Sequence, residues 1–108
     1  MPAEQRWLQN AEAAPGVIEN VYRVQIMNTA ELPRKFRITA AGLPGLAVAG
    51  IAQPVEVAAA DSHLVPLRLQ AAADAAAPGS HKVELIIEAV DDPAIQRRER
   101  TTFILPRP

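Results

Sequence analysis

The sequence predicts an all-β protein, a two-sheet antiparallel β-sandwich of seven to eight strands. Three features carry that expectation. Apolar and polar residues alternate with a period of two in most of the apolar stretches, which sets one row against a core and the other in water. Ten Pro and five Gly punctuate the chain at a spacing that suits short strands and turns rather than long helices. No stretch holds a helical period over three turns, and one-sided alternation is what two antiparallel sheets packed face to face require. With 108 residues the chain suits one domain, able to bury roughly two-thirds of its unfolded surface. A partly open barrel is the alternative closure.

Residues 1–14 are polar and Ala-rich, with Trp7 and Leu8 as their large apolar groups. They read as a tail or linker that ends at most in a short first strand, leaving residues 15–108 for the sandwich. Trp7 has two readings, a partner anchor or a side chain folded back over an open end of the core. After the turn at Pro15-Gly16, Val17 to Asn28 is a long strand in which Tyr22, Val24 and Ile26 alternate with Arg23, Gln25 and Met27. The next strand has Phe36, Ile38 and Ala40 alternating with Lys35, Arg37 and Thr39, and Gly42-Leu43-Pro44-Gly45 bends the chain into the short run Leu46 to Ala49. Gln53 to Val57 is a short strand whose Pro54 argues for a sheet edge, because Pro cannot donate to a ladder. Val65, Leu67 and Leu69 form the inward row of the strand after it. The Ala-rich run Gln70 to Ala77 has helix propensity but too little length to hold a helix alone, so one helical turn is expected there.

The longest alternation follows the turn at Pro78-Gly79. Val83, Leu85, Ile87 and Ala89 face one way and Lys82, Glu84, Ile86 and Glu88 the other, before a second turn at Asp91-Asp92-Pro93. A strand this long is expected at the centre of its sheet. Gln96 to Leu105 is the last strand, with Thr101 and Phe103 inward. Strand number and patterning point to an immunoglobulin-like sandwich, although the Cys pair and buried Trp of antibody domains are absent.

Composition excludes several functions. The absence of Cys removes disulfides, thiolate nucleophiles, iron–sulfur ligation and thiolate zinc sites, yet fixes no compartment. A net charge of −1 argues against nucleic acid as a partner. No apolar run reaches the ~18 residues of a membrane helix, and no secretory signal opens the chain. His63 and His81, both beside Ser, could join Met27 around a soft or borderline metal such as copper. The competing reading is two solvated histidines and a strand Met, since no carboxylate or second His sits at ligand spacing from either. Ser80-His81 is no nucleophile pair, because adjacent strand residues point to opposite faces. Asp91-Asp92-Pro93 lacks the oxygen ladder of a calcium loop. No catalytic, cofactor-binding or metal residue is assigned, and the expectation is that the chain is not an enzyme.

Several of these segments are similar to one family. Gly16-Val17-Ile18-Glu19-Asn20-Val21-Tyr22, Gln25 to Asn28, Gly42-Leu43-Pro44-Gly45-Leu46, and Pro78 through Ala89 with Asp91-Asp92-Pro93 resemble the C-terminal domain of the FixG, or CcoG, family of cytochrome c oxidase accessory proteins. The resemblance runs from about Gly16 to Pro106, and the I-E-N-x-Y segment is its most specific part. It implies an immunoglobulin-like domain on the periplasmic face of the bacterial inner membrane, belonging to a membrane protein implicated in cbb3-type oxidase assembly. The 4Fe-4S clusters and copper of that family are implied for the whole protein only, and none of its ligand cysteines falls within this chain.

Three functions follow. The first is a non-catalytic accessory domain that docks on an assembly partner or on the membrane part of its own chain. The second is a copper-relay domain using His63, His81 and Met27, and the third is a generic ligand-binding sandwich module, which the scarcity of aromatics disfavours. The basic residues Lys35, Arg37, Arg98 and Arg100 also have two readings. Either they pair with Glu84 and Glu88 across the sheet, or they form a surface for anionic lipid.

Overall fold

The computed structural model describes the backbone of residues 3–14 and 16–106 and the side chains of residues 16–106. These hold eight strands, β1 (Ala3–Ala14), β2 (Val17–Asn28), β3 (Arg34–Ala41), β4 (Ala47–Ala49), β5 (Val55–Val57), β6 (Asp61–Ala72), β7 (Gly79–Ala89) and β8 (Gln96–Leu105). One sheet has the spatial order β1-β2-β6-β4 and the other β5-β3-β7-β8. Every neighbouring pair is antiparallel, and the two sheets enclose one core. The architecture is the immunoglobulin-like sandwich.

The inward rows are those the alternation requires. Ile18, Tyr22, Val24 and Ile26 of β2 and Val65, Leu67, Leu69 and Ala71 of β6 meet Phe36 and Ile38 of β3, Val83, Leu85, Ile87 and Ala89 of β7, and Phe103 and Leu105 of β8. β7 runs between β3 and β8, with Ile87 opposite Ile38 on one side and Arg97 on the other. The inward row of β8 fades toward Gln96. Phe103 and Leu105 are buried, Thr101 is half-buried, and Glu99 continues the row with Arg97 paired to it at 2.9 Å.

The sheet edges follow from local chemistry. β5 pairs with β3 alone over three residues, Val55–Val57, the edge position that Pro54 requires. Just before it, the Gln53 side chain acts as one more rung. Its Oε1 accepts from the Ile38 N–H at 2.8 Å and its Nε2 donates to the Ile38 carbonyl at 3.0 Å. At the far end of β3, Gly42 has φ +125, and a Cβ there would lie 2.9 Å from Val83 Cα. Only glycine lets the chain leave β3 this close to β7.

Two expectations are corrected. The tail or linker expected at residues 1–14 is instead an edge strand over Ala3–Ala14, registered on β2 from Ala3 opposite Ile26 to Ala14 opposite Val17, with irregularities between Trp7 and Gln9 and between Glu12 and Ala14. The pairing is of backbone, and the residues show no regular apolar alternation, so alternation gave no sign of it. The two readings of the Trp7 side chain fall outside the described residues. The helical turn expected in Gln70 to Ala77 is also absent. Gln70, Ala71 and Ala72 extend β6 opposite Glu19, Ile18 and Val17, Ala71 is buried, and a tight turn follows with Ala75 N–H on the Ala72 carbonyl at 3.0 Å. A long pairing partner outweighs the weak helix preference of a short Ala run.

Candidate functional site

The three side chains that could have formed a metal site do not converge. His63 lies on β6 opposite Ile26, and His81 lies on β7 opposite Phe103. Bonds from Asn20 to Ile104 and from Tyr22 to Thr102 fix β8 against β2, which sets His81 near the level of Val21. The histidines therefore stand on different sheets and about five strand residues apart in level, ~16 Å along the strands. Met27 points to the outer face of β2, away from the side that His63 takes by alternation. His81 Nε2 donates to the Ala77 carbonyl at 2.6 Å, a loop bond that keeps the ring at its own end of the molecule. Among the described residues no three His, Asp or Glu side chains group closely enough to hold a metal ion. Asp92 serves its turn, accepting from the Ala94 N–H at 3.1 Å through Oδ1 and from the Ile95 N–H at 2.9 Å through its carbonyl.

The polar chemistry of the interior lies elsewhere, on β2. Its inward row reads Ile18, Asn20, Tyr22, Val24, Ile26, Asn28, and all six are buried. Asn20 Nδ2 donates to the Ile104 carbonyl at 3.2 Å and Asn20 Oδ1 accepts from the Ile104 N–H at 3.0 Å. Tyr22 donates its hydroxyl to the Thr102 carbonyl at 2.6 Å. These three bonds cross from the middle of one sheet to the edge strand of the other, so two side chains serve β8 where a neighbouring strand otherwise would. At the other end of β2, Asn28 Nδ2 reaches the carbonyls of Leu32, Val57 and Ala58 at 2.9, 3.1 and 3.2 Å, while its Oδ1 accepts from the Ala30 N–H at 3.0 Å. Buried amides of this kind hold backbone that has no ladder partner.

The I-E-N-x-Y segment thus has a physical account. Ile18 enters the core, Asn20 and Tyr22 tie the sheets, and Glu19 stands on the outer face, accepting from Gln70 at 3.0 Å and pairing with Arg68 at 3.4 Å. The roles of Asn20 and Asn28 were missed by sequence reasoning. The available signal was two amides on the inward side of an otherwise apolar row. Burial pushes the Tyr22 phenol well above its ordinary pKa, because the phenolate loses its hydration. A raised folded-state value means the contribution to stability is complete below the unfolded value of about 10 and is lost as pH rises beyond it. Tyr22 is the sole tyrosine, so the tyrosinate absorbance should appear only together with alkaline unfolding; titration of a still-folded protein at the ordinary phenol pH would contradict this.

The outward face of the second sheet carries part of the expected charge ladder. Arg98 Nη1 lies 2.7 Å from Glu84 Oε1, a diagonal pair, since Glu84 stands directly opposite Arg100. Glu88 stands opposite Arg37 on β3, but its neighbour on β8 is Gln96 rather than an arginine. The ladder is therefore sparser than expected. Glu84→Lys is expected to lower stability by about 0.2 to 1 kcal/mol, an effect that added salt should shrink; a loss indifferent to salt in urea denaturation would point to packing instead.

A sandwich of two four-stranded sheets, tied across by side chains of β2, defines an immunoglobulin-like domain. The chain belongs to the family described as the IG-like fold at the C-terminal of FixG, whose model matches residues 5–106. It is similar in fold to the crystal structure of a FixG-related protein from Vibrio parahaemolyticus, with a TM-score of 0.77 and 18% identity over 96% of each chain. A protein of known structure from Archaeoglobus fulgidus aligns at a TM-score of 0.47 and 15% identity, over 100% of this chain and 98% of that one. Comparison with curated proteins finds no match.

Proposed function

We propose that this domain is a non-catalytic accessory module of a membrane-bound FixG-like protein. It stands on the periplasmic face of the bacterial inner membrane, carries no cofactor of its own, and docks on a protein partner during assembly of a cbb3-type cytochrome c oxidase. The observation that carries this reading is the family match over residues 5–106. The use of the interior supports it, since Asn20, Tyr22 and Asn28 are spent on tying strands together and not on lining a reactive cleft. A rigid block with function on its surface is the form that a docking module takes.

The test is to remove the domain from the full-length protein in a bacterium that makes a cbb3-type oxidase and to measure assembled oxidase in its membranes. Assembly should fall while the truncated protein stays in the membrane. Wild-type oxidase levels with the truncated protein would overturn the proposal.

A further inference from the structure

We propose that one end of the sandwich, built by the β2–β3 and β5–β6 loops, is a docking surface for a cationic protein segment flanked by apolar side chains. This rests on the accessory role proposed above and names the surface and the chemistry of its partner. The described residues have four exposed large apolar side chains, and three of them gather here. Leu32 is 74% exposed, Leu64 52% and Met27 39%. Leu32 precedes Pro33 in the β2–β3 loop, beside a cavity of 330 Å³ lined by Pro33, Ser62 and His63, while Leu64 and Met27 lie at the same end on the outer face of the β2–β6 pair, Met27 opposite Ser62.

Charge identifies the occupant. Glu56 and Asp61 also line the cavity. Ion pairs among the described residues take up Glu19, Glu84, Asp91 and Glu99, and neither Glu56 nor Asp61 belongs to one. Lys35 stands opposite Glu56 across β3 and β5, yet makes no ion pair with it. A Lys or Arg side chain entering the cavity would meet Glu56 and Asp61, whose Oδ1 also accepts from the Ser62 N–H at 2.8 Å, while large apolar neighbours on the same segment would cover Leu32 and, across the rim, Leu64. The surface is built before any partner arrives. Asn28 holds the carbonyls of Leu32, Val57 and Ala58 together, and the Ala60 N–H donates to the Ala30 carbonyl at 2.9 Å. A pre-ordered rim reduces the ordering cost of binding.

The experiment is an NMR titration of the chain with short synthetic peptides carrying a central Lys or Arg between Leu or Phe residues, beside the same peptides with Glu at the centre. Shifts are expected at Leu32, Ala58 and the amides from Asp61 to Leu64, with cationic peptides binding at least about tenfold more tightly than acidic ones. Glu56→Gln with Asp61→Asn should abolish that preference, and Leu32→Ser with Leu64→Ser should weaken both sets; all four residues are exposed, and the neutral amides set no like charge opposite Lys35, so melting temperatures should stay close to the wild-type value. No shifts at this end, or equal binding of acidic and cationic peptides, overturns the proposal. So does a dimer in sedimentation that Leu32→Ser dissociates, because a second copy would then be the occupant. In the full-length protein, the four substitutions together should lower oxidase assembly as removal of the domain does. If removal lowers it and the substitutions do not, the surface is wrong and the accessory role stands. If the peptides bind as expected and removal has no effect, the surface stands and the role in oxidase assembly falls.

Discussion

Replacing Asn20 by alanine is expected to destabilise the domain by about 2 to 4 kcal/mol, the sum of two buried hydrogen bonds lost from one side chain. Asn20 is fully buried and holds both backbone groups of Ile104. Ile104 lies on β8, the edge strand of its sheet, so the substitution strips an edge of bonds that no strand of its own sheet can replace. Tyr22→Phe makes the internal comparison. It keeps the ring in the core and removes only the 2.6 Å bond to the Thr102 carbonyl, with an expected loss of about 1 to 2 kcal/mol. Urea denaturation of the two variants tests the order. An Asn20→Ala loss below that of Tyr22→Phe would mean that water replaces the amide at little cost, and that packing alone holds β8 to β2.

The sequence made the sheets legible where it paired a polar row with an apolar one. β2 buries every second residue along its length, and β3, β6 and β7 do so over Phe36–Ile38, Val65–Ala71 and Val83–Ala89, and alternation reports that directly. β1 escaped notice because its residues show no regular apolar alternation, and its backbone pairing to β2 leaves no mark on residue type. The Ala run after Gln70 misled for a related reason. Alanine favours helix locally, but Val17 to Glu19 offered those residues a ladder, and tertiary pairing decides among weak local preferences. For His63, His81 and Met27, sequence gives spacing and not level. His63 and His81 are 18 positions apart, and the change of sheet between β6 and β7 is what separates them. Asn20 and Asn28 could have been read as structural from their inward parity, whereas their partners on β8 and β5 depend on a fold that one chain does not announce.

β7 supplies the remaining large effect. Leu85 and Ile87 are fully buried and Ile86 between them is not. Leu85 stands opposite Ala40 and Ile87 opposite Ile38 on the inward side, while Ile86 stands between Thr39 and Arg98 on the outward one. Leu85→Ala and Ile87→Ala should each cost about 2 to 5 kcal/mol, from lost transfer energy and from cavities that neighbouring strands on both sides cannot close. Ile86→Ala should cost about 1 kcal/mol or less, as a partly covered surface position. Domains of this kind are stable by only about 5 to 15 kcal/mol, so Leu85→Ala with Ile87→Ala together should leave little folded protein at room temperature, and Ile86→Ala should remain folded. Chemical denaturation of the three single variants decides the matter. Equal losses at Leu85, Ile86 and Ile87 would mean that β7 is covered on both faces, which would place another layer over the Glu84 and Glu88 side of the sheet and remove that face from contact with water.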